Sequence, residues 1–390
     1  MRELTQYETL SLEVLSVMQF CTINDPLFPN LKSPSLWGIR ERFIPLIPLF
    51  LSPRITSIDL RFESDPPKAM VASMVTILPT LCPDLQVITL CSLPRDPMIT
   101  VAVSEMLLDI NQSTLQRFIV GSPLTEETNG VIYKLPNLSF LSVVIEKETS
   151  LPSASLPNLD RLVVTCENEG DWPQLFHGAM LGRLESVVFY PRSEQIGDFL
   201  GAFKRAALSS SVQNTLLEIE LSTSCSWNPD YSSLLPFTRL EVLAIGFSCN
   251  GGCSSRVDDD IIIDLSRAMP KLILLLLGDD PCRQLTTGVT AKGLVALARH
   301  CPDLESLRVH IQVASLNAPL ASPGVTPDAE STPSQTNCAL TKLIVGEIPV
   351  PEESVLTVAL TLLRIFPRLQ TIGGTDAKWA EVEDAICHSR

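Results

Sequence analysis

A chain of 390 residues, 45% hydrophobic and only 19% charged, carries enough apolar surface for a large core and is not a disordered chain. A net charge of −15 without a visible lysine and arginine cluster argues against nucleic-acid binding, which needs a concentrated basic face. The longest apolar runs, such as residues 272–277, are too short to span a bilayer, and Arg2, Glu3 and Glu8 interrupt the stretch where a secretory signal would form.

Residues 1–54 read as an N-terminal cap or degenerate first repeat. Leu12, Leu15 and Val17 suggest a strand-like unit within residues 1–20, and residues 35–51 read as a helix broken by Pro45 and Pro48. From Ile55 onward one pattern returns: an apolar residue, two others, an apolar, one other, an apolar. It is found at Ile55-Ile58-Leu60, Leu85-Ile88-Leu90, Leu115-Phe118-Val120, Leu138-Leu141-Val143, Leu159-Leu162-Val164 and Leu184-Val187-Phe189. It continues at Leu216-Ile219-Leu221, Leu240-Leu243-Ile245, Leu272-Leu275-Leu277, Leu304-Leu307-Val309 and Leu340-Leu343-Val345, with a degenerate Leu369-Ile372 at the end. The last two apolar positions are one residue apart, so in an extended strand both point to one face while the residues between and beside them point to the other.

The stretches between these strands change to helical spacing. Residues 64–81 place Met70, Met74, Ile77, Leu78 and Leu81 on one stripe behind Pro66 and Pro67. Residues 193–208 offer Ile196, Phe199, Leu200, Phe203 and Ala207, and residues 258–269 offer Ile261, Ile262, Leu265 and Met269. Intervals between first positions run from 21 residues (Leu138 to Leu159) to 36 (Leu304 to Leu340). The short intervals between Leu138 and Leu184 leave room only for loops or 3₁₀ turns. The longest contains residues 314–337, rich in Pro, Ser and Thr, read as a disordered insertion. The expected fold is α/β: a leucine-rich-repeat solenoid, or horseshoe, over residues 55–390, with a parallel concave sheet and a mostly helical convex side.

The stretch GVTAKGLVALARHCPDLESLRV at residues 288–309 resembles the cysteine-containing leucine-rich repeat, and Leu81-Cys82-Pro83-Asp84-Leu85 is a weaker copy of its junction. Together with the Leu-Pro-Asn-Leu starts at 135–138 and 156–159, the irregular array resembles fungal F-box/leucine-rich-repeat proteins. That resemblance implies a ubiquitin-ligase adaptor, in which an F-box module binds Skp1 of a cullin ligase and the repeats hold the protein substrate. No Leu-Pro start followed by amphipathic helices precedes the first repeats, so Skp1 and cullin are expected partners only where a longer chain supplies an F-box.

Little points to catalysis. The four histidines, His177, His300, His310 and His388, stand apart from any nucleophile motif. Cys249 and Cys253 have a metal-like spacing but lack a second ligand pair, and the acidic run Asp258, Asp259, Asp260 sits where a helix's first turn favours carboxylates. The eleven cysteines read as small buried hydrophobes. No enzyme, cofactor or metal is therefore expected, and the localisation expected is cytoplasmic or nuclear.

The leading functional reading is a protein-protein interaction module. The alternatives are a scaffold or inhibitor unconnected with ubiquitin and a parallel β-helix carbohydrate enzyme. Strand alternation puts Ile119, Phe140, Val144, Val163, Val188 and Tyr190 on the concave face, then Glu218 and Glu220, then Leu274, Leu276, Arg308, His310 and Lys342. The expected partner site is the patch they form, with Phe140 and Tyr190 as its anchors and the chain's own segments as a possible cover.

Overall fold

Each place where the apolar pattern recurs from Ile55 onward is followed by a β-strand, because two inward residues per strand can be buried only if the segment is extended. The structure, a computed structural model, describes residues 3–6, 27–63, 66–132, 134–145, 156–166, 182–191, 199–224, 230–248, 257–278, 288–317, 338–345, 349–374 and 376–389. The chain divides into two compact units, Met1–Leu184 and Glu185–Arg390. That boundary lies inside the region 55–390 read from sequence as one array.

The first unit holds β1 (Glu3–Gln6), β2 (Ser33–Ile39), a 3₁₀ helix (Glu41–Phe50), β3 (Ser57–Phe62), α1 (Lys68–Leu81) and β4 (Val87–Cys91). It continues with α2 (Pro97–Asp109), β5 (Arg117–Pro123), α3 (Glu126–Ile132), β6 (Phe140–Ile145) and β7 (Arg161–Cys166). Strands β1 to β7 pair in sequence order and all in parallel.

The second unit begins with β8 (Ser186–Pro191), α4 (Phe199–Ser209), β9 (Glu218–Ser224), a 3₁₀ turn (Tyr231–Leu234), β10 (Val242–Ser248) and α5 (Asp259–Ala268). It ends with β11 (Leu274–Leu277), α6 (Ala291–His300), β12 (Ser306–Val309), α7 (Val313–Leu316), β13 (Lys342–Val345), α8 (Val355–Ile365), β14 (Thr371–Gly373) and α9 (Lys378–His388). Strands β8 to β14 also pair in order and in parallel. Parallel neighbours need a crossover connection; an α-helix supplies it at most steps, and a 3₁₀ segment does so between β2 and β3 and between β9 and β10. The architecture is α/β.

A shared backbone contact repeats through both units. The carbonyl of the residue after each pattern's first apolar position accepts two N–H groups from the next strand's entry. Lys32 O accepts from Thr56 and Ser57, Thr56 O from Gln86 and Val87, and Gln116 O from Ser139 and Phe140. In the second unit Glu241 O accepts from Ile273 and Leu274, and Glu305 O from Thr341 and Lys342. The entry to these strands thus has its backbone donors satisfied.

Three expectations change. Residues 35–39, read as the start of a helix, belong to β2. Leu31 and Leu36 are buried there as the outer members of a pattern whose middle position is Pro34, and a register shift falls between Trp37 and Ile39, where Gly38 has φ +64°. In α1 the buried stripe is Val71, Met74, Val75 and Leu78, one step from the predicted one, and Met70 and Ile77 are half-buried. The insertion expected from residue 314 starts with order, since Val313 and Leu316 are buried on α7. Residues 318–337, the stretches 146–155 and 167–181 read as loops, and Leu12, Leu15, Val17 and Ile196 lie outside the described residues.

Candidate protein-binding face

The strands alternate between buried and partly exposed residues, as in β7 and β12, so each unit has one sheet face packed into the core and one face with side chains at least partly open. On the open face of the first unit, the first outward row runs Ser57, Val87, Arg117, Phe140, Arg161, and the second runs Ser35, Asp59, Thr89, Ile119, Ser142, Val163. In the second unit the rows are Ser186, Glu218, Val242, Leu274, Ser306, Lys342, Thr371 and Val188, Glu220, Ala244, Leu276, Arg308, Ile344, Gly373.

Of the residues expected to face a partner, Ile119, Phe140, Val163, Leu274, Leu276, Arg308 and His310 are half-buried at open-face positions. Tyr190 is the most open, at 40% exposure. Two residues depart from the expectation. Val144 is buried because the register between β5 and β6 shifts after Ile119 and sets the buried Pro123 against it. Val188 is 1% exposed: Ser186, Val187, Val188 and Phe189 are all buried, the mark of a strand covered on both faces, which the uninterrupted apolar run already carried. Neither Val144 nor Val188 can act as a contact residue in this arrangement.

Phe140 is engaged from both sides. The Arg117 guanidinium lies 4.0 Å from its ring centroid and the Arg161 guanidinium 5.8 Å from it, from the strands before and after. A second arginine–aromatic pair, unforeseen because Trp37 was read as helical, joins β2 and β3. Arg61 lies 4.1 Å from the Trp37 ring and donates through Nε and Nη2 to the Asp59 carboxylate at 3.2 and 3.4 Å. Asp59 Oδ2 also accepts from Ser35 Oγ and Trp37 Nε1, each at 3.0 Å.

The second unit's open face is graded in charge. Glu218, which accepts from Ser186 Oγ at 2.5 Å, and Glu220 stand on β9. Val242, Ala244, Leu274 and Leu276 make an apolar strip next to them, and Arg308 and Lys342 follow on β12 and β13. His310 follows β12 beside Gly288, and burial holds its pKa below the ordinary histidine value, which keeps the ring neutral at pH 7.

The acidic run divides its labour. Asp258 caps α5 by accepting from Ile261 N–H at 3.1 Å. Asp259 reaches the start of α6, where it accepts from Thr290 N–H at 2.8 Å, Gly293 N–H at 3.1 Å and the Thr290 hydroxyl. Asp260 stays exposed, 3.5 Å from Lys292 Nζ. Among the described residues no group of three or more His, Cys, Asp or Glu could hold a metal ion. Cys249, Cys253 and His177 lie outside them.

The cysteines of the resemblance have a local reason. Cys301 follows α6 and its thiol donates to Ser266 O and Met269 O at the end of α5, at 3.7 and 3.5 Å. Cys338 donates to Cys301 O and Leu304 O in the same way. A small, buried, weak donor suits a tight corner lined by backbone carbonyls. Burial pushes the Cys82 thiol up to about 11 and the Cys301 thiol up to about 12. At that value the Cys301 thiol stays protonated near neutral pH, and the thiolate is the reactive form. Alkylation of the folded protein at pH 8, read by mass spectrometry, is expected to label exposed Cys387 well before Cys82, Cys301 and Cys338. Equal rates at Cys301 and Cys387 would contradict this packing.

No helix among the described residues is long and apolar enough to cross a membrane. No protein-family model matches the chain, and no curated protein matches it in sequence.

Proposed function

We propose that the chain is a leucine-rich-repeat solenoid that acts as a protein-binding module, with the open face of its parallel strands as the binding surface. The observation that carries this reading is the second unit's face, where an apolar strip of Val242, Ala244, Leu274 and Leu276 is bordered by Glu218 and Glu220 on one side and by Arg308 and Lys342 on the other. Apolar contact supplies affinity and the flanking charges supply orientation, the division found in protein interfaces. The shared-carbonyl contact at equivalent positions supports the repeat reading. The α-helices in the connections speak against the parallel β-helix enzyme, whose coils join strands by turns.

The adaptor role that the resemblance implies is a further proposal, supported by the unit at 288–309 and by the packing of Cys301. Affinity capture from source cells with mass spectrometry tests both levels. Leu274→Asp with Leu276→Asp, and separately Tyr190→Ala, are expected to reduce recovery of the main captured protein about tenfold while the melting temperature holds. Recovery unchanged by all three substitutions would overturn the binding-face reading. Skp1 and a cullin in the wild-type capture would support the adaptor, and their absence beside other specific partners would leave the scaffold reading.

A further inference from the structure

We infer that the first unit's open face, centred on Arg117 and Phe140, is built to hold an acidic segment of a partner protein, with a partner carboxylate received by the Arg117 guanidinium. This rests on the protein-binding reading and names the partner's chemistry at a second place on the chain.

The same unit shows the mode in complete form three strands earlier. At β2 and β3 an arginine stacked on an aromatic ring, Arg61 on Trp37, turns its N–H edge to a carboxylate, Asp59, and binds it through two donors. Stacking occupies the face of a guanidinium and leaves its in-plane donors available, which is why a stacked arginine is well placed to grip a carboxylate. At β5 and β6 the ring and the stacked arginine are again present, 4.0 Å apart, with Arg161 5.8 Å from the same ring centroid. Among the described residues the third member is not. The open-face positions of β5, β6 and β7 around them are Ile119, Gly121, Ser142, Val144, Val163 and Thr165, none of them acidic. Among the described residues no carboxylate pairs with exposed Arg117.

Charge points the same way. On the open-face positions of β2 to β7 the one carboxylate, Asp59, is taken up by Arg61, and exposed Arg117 adds a further positive charge, in a chain whose net charge is −15. A basic surface on so acidic a protein is selective for acidic partners at short range, because at about 0.15 M salt the remaining charges are screened beyond roughly 8 Å. A nucleic acid is the less suited polyanion. Its bases would need the Phe140 ring face that Arg117 covers, and its dense phosphates would meet the negative remainder of the chain.

The test uses the full chain and a rhodamine-labelled oligo-glutamate peptide, followed by fluorescence anisotropy at about 0.15 M salt. Wild-type protein is expected to bind saturably, Arg117→Glu to weaken binding about tenfold or more, and Arg117→Lys to fall between, since it keeps charge and loses the stacked fork. Arg364→Glu on α8 of the other unit makes the same change in net charge and is expected to leave binding unchanged. Melting temperatures of all variants within about 3 °C of wild type show that they fold. No binding by wild type, equal binding by Arg117→Glu, or tighter binding of an oligo-lysine or oligo-uridine probe would each overturn the assignment. The protein-binding reading is judged on the other unit by the Leu274 and Leu276 variants, so an oligo-glutamate failure with that capture effect intact removes only the acidic-segment assignment.

Discussion

Asp259→Ala is expected to lower the free energy of unfolding by about 2–4 kcal/mol, through partners far away in sequence. The carboxylate accepts from Thr290 N–H, 31 residues on, and from Gly293 N–H, 34 residues on, as well as from the Thr290 hydroxyl. These N–H groups belong to the first turn of α6 and have no partner within that helix, so alanine strands them in a half-buried site. Gly293 marks the closeness of the approach: a Cβ there would sit 2.5 Å from Asp259 Oδ1 and 2.7 Å from Val289 Cγ1, and Gly293→Ala would have to displace both. Urea unfolding of Asp259→Ala beside Asp260→Ala makes the measurement specific. Asp260 is exposed and is expected to shift stability by no more than about 0.5 kcal/mol. Equal effects of the two substitutions would show that the link between α5 and α6 contributes nothing.

Phe203→Ala is expected to cost about 3–5 kcal/mol, the largest effect of any single truncation considered. Its ring, 1% exposed on α4, meets Phe189 of β8 edge-on at 5.8 Å and Phe237, just before β10, in a stack at 5.5 Å. Removing it opens a cavity shared by three successive stretches of chain and loses two ring contacts beyond the transfer term. Phe203→Leu refills much of the volume and is expected to recover about half of the loss. Chemical denaturation of both variants reads this directly. A cost below about 1 kcal/mol for alanine would mean that the site collapses to fill the space.

Much of the fold could be read from sequence because burial imposes spacing. Leu85, Ile88 and Leu90 are each 0% exposed, and their three-then-two spacing sets both the strand and its inward face. The reading failed where another force substituted for that spacing. Pro34 stands at the middle apolar position of β2, so the triplet Leu31, Pro34, Leu36 lacks the apolar signature of the other strands, and residues 35–39 read as the start of a helix. The open face was legible as a set of positions but not as a surface. The contact of Arg117 with Phe140 spans 23 residues and depends on register, which the irregular intervals obscure. Val188 looked outward by alternation alone, while its neighbours Val187 and Phe189 already spelled a strand apolar on both sides. Asp259 was placed correctly at a helix start, yet the helix it serves most is the next one.

Pairing between chain neighbours alone has a consequence for growth of the gene. From β9 to β13 each strand bonds its predecessor and its successor, so chain added between two strands lengthens one connection and leaves the strand-to-strand bonds in place. Leu304 and Leu340 are 36 residues apart and Leu272 and Leu304 are 32 apart, yet Leu274 meets Ser306 and Ser306 meets Lys342 at the same step of the pattern. Lengthening a flexible connection is cheap, about 0.6 kcal/mol for each doubling. The connection between β12 and β13 is therefore a permissive address at which foreign sequence can be acquired, trialled and discarded while the hydrogen-bond register on either side stays as it was.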